Sequence, residues 1–329
     1  EVAWHVFLQF LFFRQWDRVR EAAHARGIRV LGDIPIYVSP DSADVWSHPE
    51  IFELDGAGDP VRVAGVPPDY FSETGQLWGN PLYRWDVLER DGFHWWVERV
   101  RANLRMTELL RLDHFRGFAG YWAVPAGAET AVDGAWVPGP GRKLFDALAR
   151  ELGELDLVAE DLGEITPDVT ALVTDLDLPG MKILQFAFGG NDEDYQPHNH
   201  VPNGVVYTGT HDNDTTRGWW DKSDDGTRHR VLAYLGGDPN DPIGILVRAA
   251  YSSVSRLAIV PAQDVFGLGS EARMNTPGQG ADNWGFRARK WEFNGERAGW
   301  LRELAALTGR FRLPEEAKED ENGANGNGG

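Results

Sequence analysis

The chain has 329 residues, 42% hydrophobic and 12% aromatic, enough for a large core in one big domain or two smaller ones. Its net charge of −19 excludes nucleic acid and anionic membrane as partners, since both require a basic face. With no cysteine it has no disulfides and no thiolate chemistry, and no apolar run reaches the ~18 residues of a membrane helix.

The N-terminal stretch EVAWHVFLQFLFFRQW is apolar but interrupted by His5, Gln9, Arg14 and Gln15. It lacks the basic region and cleavage site of a signal peptide, so a cytoplasmic protein is the expectation. Residues 10–26 read as a helix with Gly27 as its stop. The segment 28–38 (IRVLGDIPIYV) reads as a buried strand carrying Asp33. Residues 39–83 are polar and rich in Pro and Gly, too long for a simple loop, and read as an insertion subdomain or lid.

A repeating pattern follows. Residues 90–107 read as a helix and 109–115 (LLRLDHF) as a strand. Residues 142–153 read as a helix and 155–161 (LDLVAED) as a strand. ITPDV opens another helix, with Thr166 as N-cap and Pro167 in its first turn. Strands are expected at 180–188, 204–210 and 256–264, with a helix at about 244–254 before the last. Alternation of this kind implies an α/β fold with a parallel sheet. No glycine-rich phosphate loop follows any strand, which favours a closed (β/α)8 barrel over an open doubly wound sheet. Six of the eight strands are present and the chain opens inside a helix, so the expectation is a barrel whose first strands precede residue 1. Residues 1–313 then form the catalytic barrel. Residues 314–329, acidic and then Asn/Gly-rich, form a disordered tail. Acid-rich, Lys-poor composition fits either adaptation to high salt or codon bias.

Three carboxylates stand where apolar runs end: Asp113 in RLDHFRGF, Glu160 in LVAEDLGEIT and Asp212 in YTGTHDNDT. Barrel enzymes carry catalytic groups at the C-terminal ends of their strands. Glycosyl transfer needs one carboxylate to attack the anomeric carbon and one carboxylic acid to protonate the leaving oxygen. Arg111, two residues before Asp113, shares its strand face and favours its ionised form. Glu160 follows Leu157, Val158 and Ala159, surroundings apolar enough to raise its pKa towards that of a general acid. Asp212, between His211 and Asn213, can bind sugar hydroxyls and steady positive charge. The plainer reading makes each acid a helix cap or an ion-pair partner, and Asp161 and Asp214 beside them fit that role.

His198 and His200 in QPHNH, with His211 and Asp212, can supply metal ligands. Without HExxH or similar spacing the first two read as solvated-loop residues, and no metal or cofactor is expected. Tyr70, Phe71 and Trp78 lie in the turn-rich segment PPDYFSETGQLWGNPLY. There they suit stacking on sugar faces, with Gln76 and Asn80 to bond hydroxyls.

Taken together, these motifs resemble glycoside hydrolase family 77, the 4-α-glucanotransferases. FLQFLFFRQW, GDIPIYVSPDSADVW, GVPPDYFSETGQLWGNPLY, RLDHFRGF, AEDLGEITPDV, GTHDNDT and MNTPG…NWGFR carry the resemblance from Phe7 to about Arg287. It implies a (β/α)8 barrel, a retaining double displacement on maltooligosaccharides and α-1,4-glucans, and two family strands preceding residue 1. It also implies Asp113 as nucleophile, Glu160 as acid and base, and Asp212 as transition-state stabiliser. Arg111, His114, His211 and Asp33 match donor-site contacts. Tyr70, Phe71, Gln76 and Trp78 match the loop over the acceptor side, and Asn275 is carried over as a further binding residue. An α-amylase-type hydrolase and an inactive glucan-binding fragment are the alternatives.

Overall fold

Each of the six apolar segments expected as a strand forms one. The computed structural model describes residues 1–68, 72–190, 193–279 and 281–311. Its strands, in chain order, are β1 (Leu31–Pro35), β2 (Arg62–Val66), β3 (Gln76–Pro81), β4 (Leu109–Asp113) and β5 (Gly120–Pro125). They continue as β6 (Ala135–Pro138), β7 (Leu157–Ala159), β8 (Gly180–Ile183), β9 (Gly204–Tyr207) and β10 (Leu257–Ile259). The chain divides into two compact units, Glu1–Met181 and Lys182–Gly329. No helix among the described residues is long and apolar enough to cross a membrane.

In the first unit β1, β4 and β7 form a parallel sheet in that order. A helix leads into each strand: Val2–His24, His94–Leu104 and Arg142–Leu152. Leu144, Phe145, Ala147 and Leu148 of the third helix are buried, one amphipathic face packed against the core. Gly153, at φ +79°, ends it. Leu110, Leu112, Ala159, Trp96 and Phe118 belong to the same core. The helix expected over 90–107 is His94–Leu104, starting four residues later than expected, and a separate helix, Trp85–Arg90, precedes it. The break falls where Gly92 and Phe93 both take left-handed backbone, which no α-helix tolerates. Thr166 does stand at the N-cap of the helix Pro167–Asp175, but its hydroxyl makes no cap bond. That hydroxyl accepts from Arg116 instead.

The insertion is a four-stranded antiparallel sheet, ordered β3-β2-β5-β6. Residues 39–83 supply only half of it. The other two strands come from 120–138, a stretch whose short runs between Gly and Pro give little periodicity. The turn from β2 to β3 needs Gly75: at φ +68°, any Cβ would sit 2.3 Å from the Val66 carbonyl oxygen.

The remaining three-stranded sheet is ordered β10-β9-β8, with β10 parallel to β9. Its core joins Leu184, Phe188, Val206, Leu246 and Ala250. The expected helix near 244–254 is Pro242–Ser252, and helices at Thr216–Lys222 and Asp225–Leu235 precede it. Asp264 is buried just after β10 and clamps the segment that follows β9. It accepts from Thr208 Oγ1 at 2.8 Å and from the Thr216 amide and hydroxyl, each at 2.7 Å. Asp264→Ala strands these three donors in the interior and should cost roughly 2–4 kcal/mol in urea unfolding. A loss below about 0.5 kcal/mol, within the range of an ordinary surface substitution, would mean the clamp is idle.

Candidate active site

Strand register brings the first group of side chains together. Asp33 pairs with Arg111 across β1 and β4, and Pro35 with Asp113. Arg111 pairs with Val158 across β4 and β7, and Leu112 with Ala159. The next step along β7 sets Glu160 level with Asp113, and the Glu160 amide donates to the Leu112 carbonyl at 3.1 Å. Alternation along parallel strands sends Asp33, Arg111, Asp113 and Glu160 to one face.

Arg111 is the centre of that face. Only 9% of its side chain is exposed. Nη1 donates to Asp33 Oδ2 at 2.6 Å, Nη2 lies 2.8 Å from Asp113 Oδ1, and Nε lies 3.4 Å from Met181 Sδ. A guanidinium taken this far from water needs such partners.

Glu160 has no cation of its own at bonding distance among the described residues. Its Oε2 accepts from the His114 amide at 2.7 Å and its Oε1 from the Leu162 amide at 3.0 Å. Burial and the charge of Asp113 outweigh these bonds and the more distant Arg111, pushing the Glu160 carboxyl up to about 7. His114 takes left-handed backbone, φ +51°, immediately after β4. That conformation aims its amide at Glu160, a local strain held by the surrounding structure. Burial, with some help from Arg116, pushes the His114 imidazole down to about 3, so it is neutral.

An aromatic wall stands beside His114. The Trp78 ring meets it edge-on, centroids 4.7 Å apart, and Tyr37 lies 6.5 Å from it and 6.3 Å from Trp78. Gln76 accepts from the Trp78 indole at 3.1 Å and so holds that ring. Asn80 spends its amide on the Val38 carbonyl, 2.9 Å away, and not on an open face. Tyr70 and Phe71 lie outside the described residues. Tyr37 was not singled out by sequence; its place two residues beyond β1 is the signal that could have found it.

The second unit carries its own group at the end of β9. Asp212 Oδ1 accepts from Asn275 Nδ2 at 2.5 Å and lies 3.5 Å from His211 Nε2. Arg273 ties the two segments, bonding the carbonyls of Asp212 (2.5 Å) and Asn275 (2.8 Å). Trp284, on left-handed backbone at φ +60°, lies over His211 with centroids 5.2 Å apart. Sequence reasoning missed Arg273 and Trp284, although Trp284 lies within the NWGFR motif.

The neighbouring acids have structural partners. Asp161 accepts from the Met181 amide at 2.6 Å. Asp214 pairs with Lys222 at 2.5 Å and accepts from Ser270 at 2.7 Å. The solvated-loop reading fails for His200, which is buried with Ser253 and Tyr195 on its two ring nitrogens. His198 bonds the Tyr234 hydroxyl at 2.6 Å. No metal-holding cluster of three or more His, Asp or Glu occurs among the described residues.

An α/β sheet whose neighbouring strand ends carry an arginine-paired aspartate and a proton-holding glutamate fits the enzymes that act on glycosidic bonds. The comparisons narrow this class. The chain belongs to glycoside hydrolase family 77, 4-alpha-glucanotransferase, whose profile matches residues 1–292. It is 51% identical over 320 residues to the 4-alpha-glucanotransferase of Thermus thermophilus, covering 94% of this chain and 64% of that protein. It is 50% identical over 308 residues to the chloroplastic/amyloplastic enzyme of Arabidopsis thaliana, covering 92% and 54%. Among solved structures it matches the amylomaltase of Streptococcus agalactiae in complex with acarbose. That match has a TM-score of 0.88 and 39% identity, over 92% of this chain and 62% of that one. The chain thus spans less than two thirds of these relatives' length.

The raised Glu160 carboxyl has a stability signature. Between about pH 4.5 and 7 the folded state keeps a proton that the unfolded state gives up, so stability falls as pH rises through this window. Glu160→Gln removes that contribution. The melting temperature of Glu160→Gln relative to the parent should therefore climb from pH 5 to about 7 and level off above it. A difference that stays flat with pH would contradict the assignment.

Proposed function

We propose that the protein is a 4-α-glucanotransferase that moves α-1,4-glucan segments between maltooligosaccharides by a retaining double displacement. One observation carries this reading: the buried Glu160 stands level with Asp113, which Arg111 ion-pairs, and its burial there pushes its carboxyl up to about 7. Family membership and the acarbose complex of the Streptococcus agalactiae amylomaltase support a saccharide ligand.

In the first step an Asp113 oxygen attacks the anomeric carbon of the donor glucan. The glycosidic bond breaks as Glu160 gives its proton to the departing oxygen, leaving a glycosyl ester on Asp113. In the second step the Glu160 carboxylate takes the proton of an acceptor hydroxyl. That oxygen displaces Asp113, and the two inversions sum to retention. Retention requires the two carboxyls to lie roughly 5–5.5 Å apart.

Arg111 and Asp33 fix the nucleophile's orientation. Asp212 takes the role that the family resemblance implies, stabiliser of the oxocarbenium-like charge; within its own unit it is bound to Asn275 and lies beside His211. Neutral His114 offers hydrogen bonds to sugar hydroxyls without adding a cation. Trp78 and Tyr37 give the sugar an aromatic face, and with Gln76 they exclude water so that a sugar hydroxyl reaches the ester first. No cofactor enters either step. A cytoplasmic site of action fits the cysteine-free chain.

Maltotriose distinguishes transfer from hydrolysis. Glucose plus a ladder of longer maltodextrins is the expected product pattern. Asp113→Asn should lower the rate by about 10⁴-fold or more. Trp78→Ala should raise the hydrolysis-to-transfer ratio. Reducing ends that accumulate with no longer products would replace transferase by hydrolase.

A further inference from the structure

Trp284, in the NWGFR motif, takes no part in the reaction proposed above, yet its backbone is strained. At φ +60° a bulky residue sits in the left-handed region, a conformation that only the surrounding structure can hold. Five residues other than glycine take such backbone among the described ones. Asp177 and Asp282 belong to the residue types that tolerate it. Phe93 is 4% exposed, so burial of its ring offsets the strain. His114 aims its amide at Glu160. Trp284 gains no such burial, for it is 55% exposed.

Hydrogen bonds hold Trp284 in place. Its amide donates to the Met274 carbonyl at 2.8 Å. Its neighbour Asn283 accepts from the Thr276 amide at 2.9 Å and donates to the Gln279 carbonyl at 2.8 Å. The same stretch carries Asn275, whose amide donates to the His211 carbonyl at 3.1 Å and whose side chain bonds Asp212. One set of bonds thus sets Asn275 against Asp212 and the indole over His211, with centroids 5.2 Å apart and the rings tilted by 37°. His211 is the one ring that Trp284 meets among the described residues.

A ring kept for packing would be buried, and an idle one would not be held on strained backbone. An exposed indole fixed beside a carboxylate and an amide has the chemistry of a sugar contact. Its apolar face suits the C–H face of a pyranose, while Asp212 and Asn275 can bond the hydroxyls.

We propose that Trp284 is a substrate-binding residue, an aromatic platform on which a glucose unit of the bound glucan stacks beside Asp212. That the sugar is glucose rests on the proposed function. The ring is held against its backbone preference, so removing it costs affinity and not stability.

The test is calorimetric titration with maltohexaose, with Asp113→Asn in every protein so that the glucan is not consumed. Trp284→Gly removes the ring and suits the left-handed backbone. It should weaken maltohexaose binding by about 3- to 10-fold, while the melting temperature stays within about 3 °C of the parent. Trp284→Phe should recover most of the affinity. Undiminished affinity in Trp284→Gly overturns the platform, and so does a parent that binds no maltohexaose. Should Trp284→Gly fail to fold, Trp284→Asn, also at ease on left-handed backbone, decides in its place. Maltotriose turnover by the Asp113 protein separates contact from positioning. There Trp284→Gly should raise KM by the same factor and leave kcat within about twofold. A fall in kcat at unaltered KM makes the ring a support for His211 and overturns the proposal. Affinity lost in Trp284→Gly, with a parent that turns over no maltotriose, keeps the platform and removes the catalytic reading; normal turnover with undiminished affinity does the reverse.

Discussion

A guanidinium buried between two carboxylates governs the strand ends of the first unit. Arg111 has lost most of its water and takes its compensation from Asp33 and Asp113. One positive charge already serves two negative ones. Glu160 therefore enters the same neighbourhood as the third carboxyl, without a cation to itself. Two amide donors favour its ionised form, but burial and Asp113 oppose it more strongly. The balance is worth roughly 3 kcal/mol against ionisation. Environment thus sets Glu160 apart from Asp113 on the adjacent strand.

That separation depends on backbone placement as much as on charge. The register of β4 against β7 sets Glu160 level with Asp113. The left-handed turn at His114 aims an amide at one Glu160 oxygen while its ring joins the wall of Trp78 and Tyr37. Asp212 has a different setting. Its partners are the neutral Asn275 amide and His211, and 41% of its side chain is exposed.

The parallel strands were legible because each is a short apolar run that ends at a polar residue. LLRLD and LVAED announce both a strand and the acid at its end, and the spacing of Arg111 and Asp113 foretold their shared face. The antiparallel sheet was half hidden. Its strands β5 and β6 are separated from β2 and β3 by three helices and β4, and no local pattern announces a pairing over such a distance. The break at Gly92–Phe93 was missed because the apolar spacing continues through it. Trp284 and Tyr37 were hidden among many packing aromatics, since exposure and ring contacts exist only after folding. His200 looked solvated because its partners, Ser253 and Tyr195, are not adjacent to it in sequence.

The division of labour between Asp113 and Glu160 is tested most directly by trapping the intermediate. Glu160→Gln should be incubated with α-maltotriosyl fluoride, whose fluoride leaves without a general acid, and the intact protein weighed by mass spectrometry. The first step then proceeds while the second, deprived of its base, stalls. One maltotriosyl group should accumulate, and peptide mapping should assign it to Asp113. No adduct, or an adduct on Asp212 or any other carboxylate, would contradict the mechanism.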